Sequence, residues 1–270
     1  MTHTKDEIIY QITLECRTET LEATLARDWL IKATEQDSPA GATVSIGEWL
    51  EIKWVWSRKR NHDTFPQLLD SVVNWLWNAN STFNKEGIIP QKLSCVIIWD
   101  QMVSCTFRIS QATTQLLRTM GMTLILRAKQ DADWPEHFRA TRSRSSWSSA
   151  AVIITSSTMD TEAISDILDR DPVCFVSKNG NVSVTNSWFD IKSSRLLKGD
   201  LAERLLHLLE NEKENLQQLN KHCELQLDTA LFMREQDRTA NAIVVNPKML
   251  KMMETLGFNN GIDASCYFPF

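Results

Sequence analysis

A capped helix that the chain states twice constrains its fold more than any other feature. Residues Phe107–Leu126 read FRISQATTQLLRTMGMTLIL, and residues Ile243–Ile262 read IVVNPKMLKMMETLGFNNGI. In each copy an apolar strand end meets a small polar residue, Ser110 or Asn246. Side-chain oxygens of this kind satisfy the unpaired N–H groups of a first helical turn. Pro247 adds a fixed φ at the first helical position. Gly121 and Gly257 then stand where a helix hands over through a left-handed residue. The two caps are 136 residues apart (246 − 110), and so are the two glycines (257 − 121). Between them Thr113, Leu117 and Met120 match Met249, Met253 and Leu256, at the steps of four and three that share a helix face.

The rest of the chain follows the same offset. EIIYQITLE, from Glu7, sets Ile8, Tyr10, Ile12 and Leu14 on one side of a strand. A helix over about residues 18–34 carries Leu21, Leu25, Trp29 and Leu30. TVSIGEWLEIKWVWS gives one long strand or two short ones. Thr64 heads a Thr-x-x-Gln box, capping through Gln67 a helix that buries Leu69, Val72, Val73 and Leu76. LSCVIIW and MVSCTFRI read as a hairpin, and the capped helix and the strand MTLILRA complete the unit. In the second half AAVIITS and MDTEAISDILD open the unit again, and WFDIK at Trp188 echoes WLEIK at Trp49. Asp200 and Glu203 fall 136 residues after Thr64 and Gln67 (200 − 64, 203 − 67). Leu205, Leu208 and Leu209 take the places of Leu69, Val72 and Val73. Units this long carry enough apolar faces for their own cores, so they are duplicated domains and not solenoid turns. The expected fold is α+β, with two repeated domains over residues 1–130 and 149–270. Each is a mainly antiparallel sheet covered by helices, in the order strand-helix-strand-helix-strand-strand-helix-strand, and the two are related by approximate two-fold symmetry. Residues 131–148, where apolar periodicity gives way to Ser and Arg, form the linker.

Composition narrows the function by exclusion. Hydrophobic residues make up 43% and charged residues 23% of 270, the balance of a soluble globular chain. A net charge of −5 argues against a general nucleic-acid binder, which needs a basic face. Six cysteines show no metal-ligand spacing, no Gly-rich phosphate loop occurs, and no run reaches membrane-span length. No metal or cofactor is expected. The start, MTHTKDE, lacks a secretory core, so a cytoplasmic protein is expected, and the repeat leads to the expectation of a monomer with internal symmetry.

Several segments together resemble a family of small bacterial domains known only as a domain of unknown function. In the second half these are IITSSTMDTEAISDIL, NSWFDIKS, LAERLLHLLENEKENLQQL and VVNPKMLKMMETLGFNNGIDASCYF. In the first half they are WLEIK and FRISQATTQLLRTMGM. The resemblance spans nearly the whole chain but rests on caps, core faces and a glycine turn. It implies the α+β fold and no catalytic residues. Small acidic domains of this kind look like immunity proteins encoded beside antibacterial toxins, so a protein-binding role is the expectation that follows.

Candidate catalytic groupings each have a simpler account. His222 and Cys223 are chain neighbours, which rarely present both side chains to one substrate. His207 sits among leucines on an amphipathic helix, and His62–Asp63 belongs to a turn. Asp169-Arg170-Asp171-Pro172 lacks the glycine and distal glutamate of a calcium loop and reads as the end of a helix. Arg58-Lys59-Arg60 and the Arg139–Arg144 stretch lack the interleaved aromatics of a single-strand binding surface. An enzyme is disfavoured. Tryptophan is more informative: of ten, Trp49, Trp54, Trp56, Trp75, Trp77 and Trp99 crowd the first half. Trp54 and Trp56 share one face of a strand, whereas Trp75 and Trp77 point to different sides of a helix. At the repeat offset, Trp75 and Trp77 correspond to Asn211 and Lys213, which marks that helix face as exposed. Exposed tryptophans anchor interfaces, although docking of one copy on the other would use the same surface. Glu210, Glu212 and Glu214 form an acidic helix end that could oppose a basic toxin. Trp54, Trp56, Trp75, Trp77, Glu210, Glu212 and Glu214 are therefore the candidate partner-binding residues. The expected function is toxin neutralisation by occlusion. The alternatives are a structural or regulatory pseudo-dimeric module and, further off, a hydrolase that reverses a toxin's modification.

Overall fold

The computed structural model describes residues 7–18, 23–40, 42–46, 49–59, 64–98, 104–129, 147–172, 174–177, 184–193, 200–232 and 242–267. The first half runs β1 (Glu7–Thr18), α1 (Ala23–Asp37), β2 (Ala42–Ile46), β3 (Leu50–Lys59), α2 (Thr64–Lys85), β4 (Ile88–Ile98), β5 (Ser104–Ile109), α3 (Gln111–Thr119) and β6 (Thr123–Lys129). The second runs β7 (Trp147–Ser156), α4 (Thr161–Leu168), β8 (Cys174–Ser177), β9 (Val184–Ser193), α5 (Asp200–Leu208), a 3₁₀ turn (Leu209–Glu212), α6 (Lys213–Leu219), β10 (Glu224–Phe232), β11 (Ile243–Val245), α7 (Pro247–Leu256) and β12 (Ile262–Tyr267). The fold is α+β; TVSIGEWLEIKWVWS forms two strands, β2 and β3, one of its two expected forms, and among the described residues β8 is a strand the expected order lacked. Apart from Trp147 and Ser148, which open β7, the linker 131–148 lies outside the described residues, as do Trp99 and Arg139–Arg144.

Two six-stranded mixed sheets result, ordered β11-β6-β4-β1-β3-β2 and β5-β12-β10-β7-β9-β8. Each has one parallel pair, β4–β6 or β10–β12, among antiparallel neighbours. The two orders match strand for strand, except that each half has given one strand to the other's sheet. This corrects the hairpin: β4 does not pair with β5. Instead β5 crosses to lie antiparallel to β12, Ile109 opposite Ile262, while β11 crosses to β6, Val245 opposite Leu124. The β5–β12 seam is matched on both faces. Phe107 and Ile109 are buried on one, while Thr106 Oγ1 lies 2.9 Å from Ser265 Oγ and Arg108 Nε 3.3 Å from Asp263 Oδ1 on the other. Gly261 makes the crossing possible. An added Cβ would stand 1.7 Å from the Ile109 carbonyl oxygen.

Both capped helices form where they were expected. Ser110 Oγ accepts from Thr113 N–H at 3.1 Å, and Asn246 Oδ1 from Met249 N–H at 2.8 Å. Gly121 (φ 67°) and Gly257 (φ 88°) take left-handed conformations. Met122 N–H then reaches Leu117 C=O at 2.9 Å, and Phe258 N–H reaches Met253 C=O at 2.9 Å, the crossed bonds of a Schellman turn. Helices α2 and α5 start at Thr64 and Asp200, as the offset requires.

On α1 the buried side is Ala26 and Leu30, while Leu25 is 57% exposed. Two matches between the halves also fail. Leu208 is exposed although Val72 is buried. Helix α5 turns Leu201, Ala202, Leu205 and Leu206 inward and ends at Leu208, and the 3₁₀ turn that follows buries Leu209. The echo of WLEIK in WFDIK is one of letters only. Trp49 precedes β3 and is 40% exposed, whereas Trp188 is fully buried within β9, beside a register shift at Val152/Ile153.

Candidate protein-binding surface

The tryptophans divide between core and surface. Along β3, Leu50, Ile52, Trp54 and Trp56 alternate inward against the helices, and Val55 points outward. Trp54 is completely buried, and its Nε1 donates to Ser38 Oγ at 2.9 Å, which satisfies the one polar group a buried indole carries. Trp56 is also buried. From α2, Trp75 lays its edge on Trp54 at 5.6 Å between ring centroids and meets Phe83 at 5.7 Å; Trp29 of α1 meets Phe83 at 5.3 Å. These four rings form one edge-to-face chain, a geometry favoured by the aromatic quadrupole. Trp54, Trp56 and Trp75 therefore belong to the core and are not surface anchors. The offset argument misled at Trp75. Asn211 is exposed as expected, but Trp75 packs edge-on between Trp54 of β3 and Phe83 of its own helix.

Trp77 is different. It is 42% exposed on the outer side of α2, among the exposed Gln67, Ser71, Asn74, Asn78 and Ser81. Behind it, an open groove of about 420 Å³ separates α1 from α2, floored by Trp29 and Trp75 and rimmed by Lys32, Asn78 and Thr82. Six large apolar side chains stay exposed among the described residues. Five of them, Leu25, Ile46, Trp49, Val55 and Trp77, lie in the first half, which makes that half the richer in unsatisfied apolar surface.

The glutamates also divide. Glu210 is exposed and lies 3.2 Å from His207 Nδ1, and Glu214 is exposed. Glu212 is partly covered: it accepts from Asn215 at 3.1 Å and pairs with Arg170 at 3.7 Å. That guanidinium also stands 4.2 Å over the Phe189 ring. Glu212 thus closes the Arg170 turn instead of facing outward. Asp169, left-handed at φ 48°, ends α4 as the sequence indicated. His222 is exposed while Cys223 is buried, with its thiol directed to the Met159 sulfur at 3.7 Å and its pKa raised by burial. The pair is no dyad.

Sequence reasoning missed the way α3 and α7 are seated. Asp70 of α2 accepts from Ser110 Oγ at 3.1 Å and closely from Thr113 Oγ1. Glu203 of α5 accepts from Lys248 Nζ at 2.6 Å and from Asn246 Nδ2 at 3.2 Å. Each cap thus hangs on a carboxylate of the preceding long helix. The Lys248 hydrogen bond, then the one from Asn246, hold the Glu203 carboxyl below its ordinary value against the opposing effect of burial. Because the folded-state pKa is the lower one, this stabilisation is present above the ordinary carboxyl value of 4.5 and is lost as pH falls through the folded-state value. Glu203→Gln should cost about 1 kcal/mol or less at pH 7, the range of a solvent-facing pair. The gap from the parent should close below about pH 4.5 in urea titrations. A gap unchanged down to pH 3 would show that the charge of Glu203 does not matter.

Between α3 and α7 lies a polar cleft of about 210 Å³, lined by Gln111, Gln115, Arg118, Asn220, Glu254 and Asn260. Arg118 and Glu254 form a close ion pair across it. Among the described residues no cluster of His, Cys, Asp or Glu could hold a metal ion, and no helix is long and apolar enough to cross a membrane. No protein-family model, no curated protein and no solved structure matches the chain.

Proposed function

We propose that the protein acts by binding another protein, as an immunity protein that neutralises a cognate bacterial toxin by covering it. The observation that carries this reading is Trp77. A tryptophan 42% exposed on an otherwise polar helix face contributes little to the fold that a polar residue would not. It is also the residue type most enriched among interface anchors. Glu210 and Glu214, exposed on a chain of net charge −5, support a basic partner, since opposite charge speeds encounter and excludes wrong partners. Trp77, Glu210 and Glu214 are the contact residues of this reading.

The chain is best understood as a duplicated domain with approximate two-fold symmetry. Support comes from the matching strand orders, the paired Schellman turns and the Arg118–Glu254 ion pair. Those two residues are themselves 136 apart, so each position faces its own counterpart, as a two-fold axis between α3 and α7 requires. The same feature favours a pseudo-dimeric interaction module as the second reading.

The test is co-expression with a toxin encoded beside the gene, with growth rescue and affinity both measured. Rescue is expected, and Trp77→Ala should weaken binding roughly 30-fold, as loss of a 2 kcal/mol anchor does. If the neighbouring toxin neither binds nor is neutralised, the reading fails. If Trp77→Ala leaves the affinity unchanged, the anchor has been misplaced.

A further inference from the structure

The register of the crossed strand brings together two thiols that no argument above has used. Cys105 lies on β5, contributed by the first half, and Cys266 lies directly opposite on β12 of the second half. Directly opposed residues of an antiparallel pair project to the same face with Cα atoms roughly 4.5–5.5 Å apart, inside the roughly 4.4–6.8 Å that a disulfide spans. Both are thiols in this structure. Cys105 is half-buried and accessible to a small reagent, whereas Cys266 is only 1% exposed. The other described cysteines have no such partner across a strand: Cys95 faces Ile12, Cys16 faces Leu50 and Pro90, Cys174 faces Ser187, and Cys223 adjoins Met159. In the other seam, β11 with β6, neither strand contains a cysteine.

We propose that Cys105 and Cys266 form a reversible disulfide that fastens the crossed strand β5 to the second half when a low-molecular-weight disulfide, such as oxidised glutathione, becomes abundant. Cys105, after losing its proton to solvent, attacks one sulfur of the oxidant and releases one glutathione thiolate. Cys266, likewise deprotonated, attacks the Cys105 sulfur of the mixed disulfide and releases the second. Two protein thiols are oxidised, one glutathione disulfide is reduced to two thiols, and the two protons pass to the leaving thiolates. The more accessible Cys105 receives the oxidant and the buried Cys266 resolves it, an order set by access. Since the bond joins positions far apart in sequence, it restrains the unfolded chain over a long loop and adds to native stability. It covalently closes the β5–β12 seam, where the first half enters the second half's sheet.

The test uses the full-length folded protein, incubated with oxidised glutathione and then digested without reductant for mass mapping. The expected product has lost two hydrogens, yields a peptide linking Cys105 to Cys266, and melts on the order of 5–10 °C higher until dithiothreitol reverses the change. Cys105→Ser and Cys266→Ser should each abolish both the link and the rise, and Cys223→Ser should keep both. Three outcomes would overturn the proposal: glutathione that stays on Cys105 without transfer, a link to any other cysteine, or a link with no rise in melting temperature.

Discussion

Gly261→Ala is expected to lower the stability of the protein by about 3 kcal/mol, at the upper end of what overpacking costs. The added methyl would lie 1.7 Å from the Ile109 carbonyl oxygen and 2.8 Å from its carbon. Both are main-chain atoms, held in place by the pairing of Ile109 with Ile262, so neither can swing aside as a flexible side chain would. Relief requires β5 to slide or detach. Detachment would expose Phe107 and Ile109 and give up the Thr106–Ser265 and Arg108–Asp263 contacts. Urea unfolding gives the overall loss, and amide hydrogen exchange locates it. Exchange should speed up in residues 104–109 and 262–267 more than in the central strands β1 and β4. A variant within about 0.5 kcal/mol of the parent, the range of an ordinary surface change, would mean that the two strands do not cross this closely.

Trp54→Ala should cost about 3–5 kcal/mol, the range for truncating a large aromatic in a core. Trp54 is fully buried, touches Trp75 edge-on and loses a satisfied indole hydrogen bond with Ser38. Trp77→Ala should cost about 0.5 kcal/mol or less. The contrast is the informative part, because the sequence alone put both residues on one binding surface. Equal losses from the two substitutions would place Trp77 in the core and remove the anchor on which the binding reading depends. A small loss at Trp54 would refute the aromatic chain.

Much of the local structure was legible because it is decided within a few residues. Ser110, Asn246, Pro247, Gly121 and Gly257 fixed where α3 and α7 begin and end, since a cap or a left-handed turn depends on one side chain and the nearest backbone groups. The faces of β1 and α2 followed from spacing: Ile12, Leu14, Leu69, Val72, Val73 and Leu76 are all fully buried. The candidate site was less legible. Of the seven residues selected, Trp77, Glu210 and Glu214 remain at the surface. Trp54, Trp56 and Trp75 are buried, and Glu212 is drawn into the Arg170 turn.

What the sequence determined by itself is the set of pieces: an α+β element list, the caps and turns that bound α3 and α7, and the side of most elements that is apolar. Only the tertiary structure decided how the pieces are shared. Pairing depends on which edge lies nearest once the sheets have formed, and the apolar residues of β5 would suit either half. The Gly261 gap and the match of Arg108 with Asp263 settle the choice in favour of β12. Periodicity likewise shows that a tryptophan faces a helix or a sheet, but not whether another helix covers that face. For Trp75 the answer came from Trp54 of β3, distant along the chain and adjacent only in space, together with Phe83 of its own helix.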